Sequence, residues 1–311
     1  MALDLPLSKD ERKLALQRSD MYALYYVAVN YGILALAFWL PTQVDNPAIF
    51  LVSILLITSR ILGLGVLTHD ASHNALFKNA KVNEWMGRWV LGGLPNVPFF
   101  VYRKGHMAHH RYGGTDKDPD LGFVAGYPTS RASLIRKFKR DLTGQTGIKD
   151  VSFQLRNLGP VKSLPFLISH AILFALLAVS GHPAYYGLWW IALIFIYPAF
   201  MRIRIIGEHG AVDELNTKET RLYTRTTDAP FWQTMLFSPN NVNFHVEHHL
   251  FPSAPSYRLK KLHALLVGRG YYDGYDCVNK SFFQAVARCV GERRDKDKPV
   301  VRSAGIYAGM R

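Results

Sequence analysis

The stretch Ser238–Ser253 reads SPNNVNFHVEHHLFPS and carries histidines at 245, 248 and 249. Positions i, i+3 and i+4 share one face of a helix, so a helical turn here aims all three imidazoles at a common point. The pattern recurs upstream. His106, His109 and His110 in GHMAHHRY repeat the spacing, and His69 and His73 in THDASH stand four residues apart. These groups hold eight of the chain's twelve histidines, which core packing does not explain. The expectation is a histidine-rich metal site, with ligands for more than one metal. Imidazole suits zinc, copper, iron and nickel alike, so ligand type alone leaves the metal open.

What lies between the groups determines the fold. The chain is 49% hydrophobic over 311 residues, yet its mean hydropathy is only +0.01, so long apolar runs must alternate with basic, polar ones. Met21–Leu40 is long enough to span a bilayer and has Tyr and Trp near its ends. Ile49–Thr68 returns and delivers His69 at its end. Between Asp70 and Lys162 only Trp85–Val101 is apolar, and its Gly92, Gly93, Pro95 and Pro98 suit a re-entrant or interfacial hairpin. Leu164–Ser180 and Tyr185–Ile206 make a second pair of spans, and the chain from Gly207 is soluble in character.

Charge sets the orientation. The links at 41–48 and 181–184 carry no Lys or Arg, whereas 69–163 and 207–311 carry fifteen each. The positive-inside rule therefore puts both termini and all three histidine groups in the cytoplasm. The expected fold is an all-α integral membrane protein. Four transmembrane helices and interfacial helices carry a cytoplasmic helical cap that holds a histidine-rich di-metal site. Residues 1–20 form a cytoplasmic N-terminal segment without a cleavable signal, 21–290 the membrane domain, and 291–311 a polar tail. Cys277 and Cys289 make no ligand pattern and need no disulfide, as in a reducing compartment.

The net charge of +14 does not point to nucleic acid, because nothing in the chain resembles a groove-reading module. Leu134, Ile135, Phe138 and Leu142 alternate with Arg136, Lys137, Lys139 and Arg140 at helical spacing. Such a basic amphipathic helix suits anionic headgroups or an acidic electron carrier.

Beyond the histidines, HHRYGGTDKDPD (His109–Asp120) and NVNFHVEHHLFP (Asn241–Pro252) resemble the second and third histidine boxes of the membrane fatty acid desaturases and their relatives. The likeness runs from Tyr25 to Tyr271 in box order and spacing. It implies a ninth histidine ligand just past the fourth span, here His209 in GEHG. Ile205 stands where some relatives have an Asn, which leaves Asn240, Asn241 and Asn243 as candidates for a water-mediated ligand. Zinc takes about four ligands, so nine imidazoles suffice for two metals. Two iron ions in a non-haem centre, held by His69, His73, His106, His109, His110, His209, His245, His248 and His249, are what the family implies, with no catalytic group beyond the ligands.

The implied activity is oxygen-dependent desaturation of a fatty acyl chain, in a membrane lipid or an acyl thioester. Electrons would come from an external donor such as a ferredoxin or a small b-type cytochrome. The enzyme would be multi-pass in the cell inner membrane of a bacterium, or in the endoplasmic reticulum of a eukaryote. The alternative within the family is a hydroxylase, or a carotenoid ketolase or hydroxylase. A membrane zinc hydrolase would leave six box histidines unused, and HDASH has Asp where HExxH has its Glu base. A metal transporter would need such groups within the spans.

Metal-bound imidazoles usually donate their second N–H to an acceptor, a role open to Asp70, Glu208, Glu247, Asp116, Asp118 and Asp120. An Asx turn before Pro119 is compatible with it. His170 reads as a packing histidine, and His182 and His263 as surface residues. Arg60, placed mid-span, should face the bundle interior or water, with a role in holding either the substrate or Asn30 of the first span. Arg202 and Arg204 can snorkel to the interface.

Overall fold

The computed structural model describes residues 6–124 and 126–291, so the polar tail lies almost wholly outside the described residues. Four helical stretches are long and apolar enough to cross a membrane: Lys9–Gln43, Pro47–Ser72, Val161–Val179 and Pro183–His209. Within the first, α1 (Lys9–Ala15) starts at a Ser8–Glu11 capping box and α2 (Asp20–Gln43) at Ser19. Asn46 caps α3 (Pro47–Ser72), with proline in its first turn. There follow α4 (Ala80–Trp85), a π-helical segment Met86–Leu91, α5 (Phe99–Tyr112), α6 (Leu121–Val124), α7 (Arg131–Leu142) and α8 (Gln145–Val179). Then come α9 (Tyr186–Ile191), a π-helical turn Ala192–Ile196 and α10 (Tyr197–His209), which together make the fourth crossing. The cap holds α11 (Thr220–Tyr223), α12 (Phe231–Phe237), α13 (His245–Leu250), α14 (Ser256–Gly268) and α15 (Phe282–Arg288). Among the described residues it has one two-stranded pairing, parallel, β1 (Thr226–Thr227) on β2 (Val278–Asn279).

The third helix is the axis of the molecule. It is apolar around its whole circumference and buried along most of its length, as a helix surrounded by others must be. Gly63 lets α2 approach, since a Cβ there would stand 2.1 Å from Asn30 Oδ1. Arg60, 3% exposed, donates to Asn30 Oδ1 at 3.0 Å, to Ser59 Oγ at 2.6 Å and to the Met235 carbonyl at 3.1 Å. Asn30 in turn donates to Asn240, and Asn240 to the Gly63 carbonyl. The mid-span cation thus ties two spans to the loop that leads into the last histidine group. Replacing it by methionine (R60M) leaves Asn30 Oδ1 without its donor, while the Met235 carbonyl still accepts from the Ser59 hydroxyl, at a cost of about 1–3 kcal/mol. The thermal midpoint in detergent should drop by a few degrees; an unchanged midpoint would mean the bonds return only what burying the charge costs.

Between the spans, Met86–Pro98 folds back as a hairpin. Its Gly93 packs on Ser169, and the Leu94 carbonyl meets His170 Nε2 at 3.1 Å. His170, which also meets the Tyr186 hydroxyl at 2.7 Å, is the packing histidine its position suggests. The eighth helix is kinked at Gly159, whose φ of 67° is the left-handed conformation glycine adopts without strain. The segment before the kink and α7 expose apolar and basic residues together, including Ile135, Leu142 and Ile148.

The remainder forms the cap, joined by α1, whose Ala15 packs in a cluster with Leu7, Leu259, Leu262 and Leu266. Neither arginine at the end of the fourth span snorkels. Arg202 pairs with the buried Asp141 of α7 at 2.5 Å, and Arg204 is buried against Glu208 at 2.7 Å. Both are held inward because a carboxylate stands within reach, one of them at helical i+4 spacing.

Candidate metal centre

Three helix ends and one short helix bring the histidines together. His69 and His73 end α3, His209 ends α10, His106, His109 and His110 lie on the last turns of α5, and α13 carries His245, His248 and His249. All nine side chains converge, in two groups. His69, His73, His106, His110 and His248 offer ligand nitrogens within 4.8 Å of one another, and so do His109, His209, His245 and His249. In the first group Nε2 of His248 is 3.0 Å from that of His69 and 2.9 Å from that of His110, which is 3.1 Å from His106. In the second, Nε2 of His245 is 2.9 Å from His209 and 3.1 Å from His249, which is 3.3 Å from His109.

At three of the nine rings the second nitrogen explains why Nε2 faces its neighbours. Nδ1 of His69 donates to Asp70 at 3.1 Å, Nδ1 of His109 to Asp118 at 2.8 Å, and Nδ1 of His209 to the Tyr223 carbonyl at 3.3 Å. Each acceptor fixes the tautomer that leaves Nε2 as a bare lone pair. Lone pairs about 3 Å apart repel unless a cation lies among them. Two nitrogens bound to one metal at about 2.1 Å and near right angles stand about 3 Å apart, which matches the spacings here. Nε2 of His73 is buried and without a hydrogen-bond partner, another donor aimed at the same centre.

Protonation agrees. Burial, then neighbouring imidazoles, push His106, His110, His245, His248 and His249 well below the usual histidine range, and burial with Arg103 pushes His73 down to about 3. Neutral imidazoles are the form a metal binds. His109 runs the other way: burial opposes its charge, but the bond to Asp118 and the field of Asp120 outweigh it and raise it.

The carboxylates divide. Asp118 holds His109 and also accepts from the Gly114 and Asp120 amides, so the Asx turn and the support of a ligand coexist. Asp120 is 3.8 Å from His109 Nδ1, and Glu208 is 3.9 Å from His245 Nδ1. Asp116 is exposed and reaches no imidazole among the described residues. Glu247 turns away from the centre, because one residue on a helix is a rotation of about 100°. It accepts from Thr226, His263 and Tyr272 instead. His263 is therefore not a surface residue. It lies on the face of α14 that buries Leu259, Leu262 and Leu266, a placement its spacing from those leucines already encoded. The three asparagines serve the scaffold: Asn240 bonds Gly63, Asn241 the Tyr26 hydroxyl, and Asn243 the Thr227 carbonyl. Replacing Asp118 by asparagine (D118N) should cost about 10–100-fold in metal affinity or activity, the usual effect of losing a ligand's outer partner, read by metal titration and turnover on one preparation.

The profile of the family described as fatty acid desaturase matches residues 45–277. The chain belongs to the fatty acid desaturase family. Among its relatives is a dihydrorhizobitoxine desaturase of Bradyrhizobium elkanii, 28% identical over 277 residues, which span 79% of this chain and 75% of that one. A beta-carotene ketolase of Paracoccus sp. strain N81106 is 26% identical over 79% of this chain and 94% of its own length. A sphingolipid delta(4)-desaturase/C4-monooxygenase of Homo sapiens is 25% identical over 68% of this chain and 62% of its own. This desaturase-family chain is thus a membrane oxidoreductase, of desaturase or related oxygenase type, and its histidine groups are suited to metal.

Proposed function

We propose that the chain is an oxygen-dependent acyl-lipid desaturase whose nine converging histidines hold two irons. The observation that carries it is the division of those histidines into a five and a four with bare Nε2 atoms face to face. Bound there, two irons supply activation of dioxygen with external electrons and removal of hydrogen from unactivated carbon. His69, His73, His106, His110 and His248 would hold one, and His109, His209, His245 and His249 the other. Asp70, Asp118 and the Tyr223 carbonyl keep the rings turned inward. Tyr102 stacks flat on His106, with centroids 5.4 Å apart, and limits that ring's tilt. The surrounding helices exclude water, and a chain without polar groups must be aligned by shape alone.

Domain limits of 1–20, 21–290 and 291–311, a cytoplasmic active site, and a separate ferredoxin or small b-type cytochrome as donor belong to the same reading. In its support, Arg136, Lys139 and Arg140 are exposed on α7 and form no ion pair among the described residues. Purified protein should be inert with NAD(P)H alone and active once a donor is added. Turnover without a donor would refute the separate-carrier requirement.

The second reading is oxygen insertion, as the names of the ketolase and the C4-monooxygenase imply for those relatives. Both outcomes begin with hydrogen abstraction and part on placement of the neighbouring C–H, where a displacement of about 1 Å costs about a hundredfold. Membranes given oxygen-18 gas and a deuterated acyl lipid should yield a new double bond and no label. Heavy oxygen on the attacked carbon, without a double bond, would make the enzyme a hydroxylase or ketolase.

A further inference from the structure

A cavity of about 210 Å³ lies between the Met86–Pro98 hairpin and the first turn of the third span. Its lining is mostly apolar, including Val97, Phe100, Val161 and Phe166, with two cations, Arg88 and Lys162. Its outer wall is apolar and exposed: Val161 is 73% and Phe100 51% exposed, at the start of a candidate span and beside the hairpin. Arg88 lies 4.7 Å from the Trp89 ring, an aromatic-and-cation pairing suited to the headgroup level. Neither Arg88 nor Lys162 has a carboxylate partner among the described residues.

The inner wall leads toward the histidines by two routes. Gly92 lies against Thr68, where a Cβ would be 3.4 Å from Thr68 Cγ2, and Thr68 precedes His69. Phe99 to Val101 line the cavity at the start of α5, and the next residue, Tyr102, stacks on His106. An apolar cavity open sideways to the bilayer, two unpaired cations at its rim and histidines behind its wall fit one ligand class. We infer that this cavity takes an acyl chain of an anionic glycerophospholipid, with Arg88 and Lys162 on its phosphate. Zwitterionic lipid also carries a phosphate, but its ammonium meets the same two cations, so net charge decides in favour of the anionic class. That the bound lipid is the substrate, presented from the membrane plane, rests on the acyl-lipid reading above.

Photolabelling tests it without requiring turnover. The full chain is placed in phosphatidylcholine nanodiscs with a small fraction of phosphatidylglycerol bearing a diazirine on one acyl chain. After irradiation, labelled peptides should include Val97–Val101 and Pro165–Phe166. Unlabelled phosphatidylglycerol should compete several-fold better than phosphatidylcholine, and the double variant R88Q/K162Q should lose that preference. Label spread evenly over the outward residues Leu164, Leu167 and Ile168 would overturn the site. Equal competition by both lipids would overturn its headgroup selectivity, whether or not the variant folds. An enzyme that labels as expected but desaturates no lipid would leave the binding site standing and count against the substrate assignment. One that desaturates phosphatidylglycerol with no label in the cavity would do the reverse.

Discussion

Replacing His248 by alanine is expected to lower turnover by well over a hundredfold while the protein stays folded in the membrane. This imidazole is the hub of the five-histidine group, 1% exposed, with Nε2 about 3 Å from those of His69 and His110. Loss of an outer partner costs about 10–100-fold, and loss of a ligand should exceed that. The fold should survive because the helix that carries it is fastened from its other side, through Glu247 to Thr226, His263 and Tyr272. Detergent extraction, circular dichroism and turnover on the same preparation check both halves. Near-normal activity would remove His248 from the ligand set.

The second large effect is expected at Asp70, which performs two tasks with one carboxylate. One oxygen holds His69 Nδ1 at 3.1 Å and the other accepts the Ser256 amide at 2.8 Å. It therefore joins the end of the second span to the turn that follows the last histidine group. In D70A the ring is free to rotate and a buried amide loses its acceptor, at about 1–3 kcal/mol. Activity should fall toward the upper end of the about 10–100-fold that loss of an outer partner costs, with iron content falling in parallel. D70N keeps an oxygen for one of the two partners and should recover part of the loss. Full iron content in an inactive D70A protein would mean that Asp70 acts on something other than ligand orientation.

Much of this architecture is legible in the sequence because membrane helices and helical ligand groups both have strong periods. Apolar runs mark the four crossings, and glycine and proline at 92–98 mark the hairpin. Spacing of three and four residues is what lets α13 and α5 each present three imidazoles on one face. Harder to read were contacts that join distant segments. Nothing near Thr226 announces a two-residue parallel pairing with Val278. Arg202 looks like an interfacial cation until α7 is seen to bring Asp141 beside it. Glu247 sits between two histidines in sequence but is turned by helical rotation toward His263, which no local pattern pairs with it. Arg204 is different: its i+4 relation to Glu208 was available, but a basic residue at a span end more commonly faces headgroups.

Iron and zinc content of the chain purified without chelators, measured together with turnover, tests the two-iron centre most directly. Close to two irons per chain are expected, with activity lost on chelation and restored by iron(II) but not by zinc. A preparation that is fully active with a single zinc per chain would contradict it.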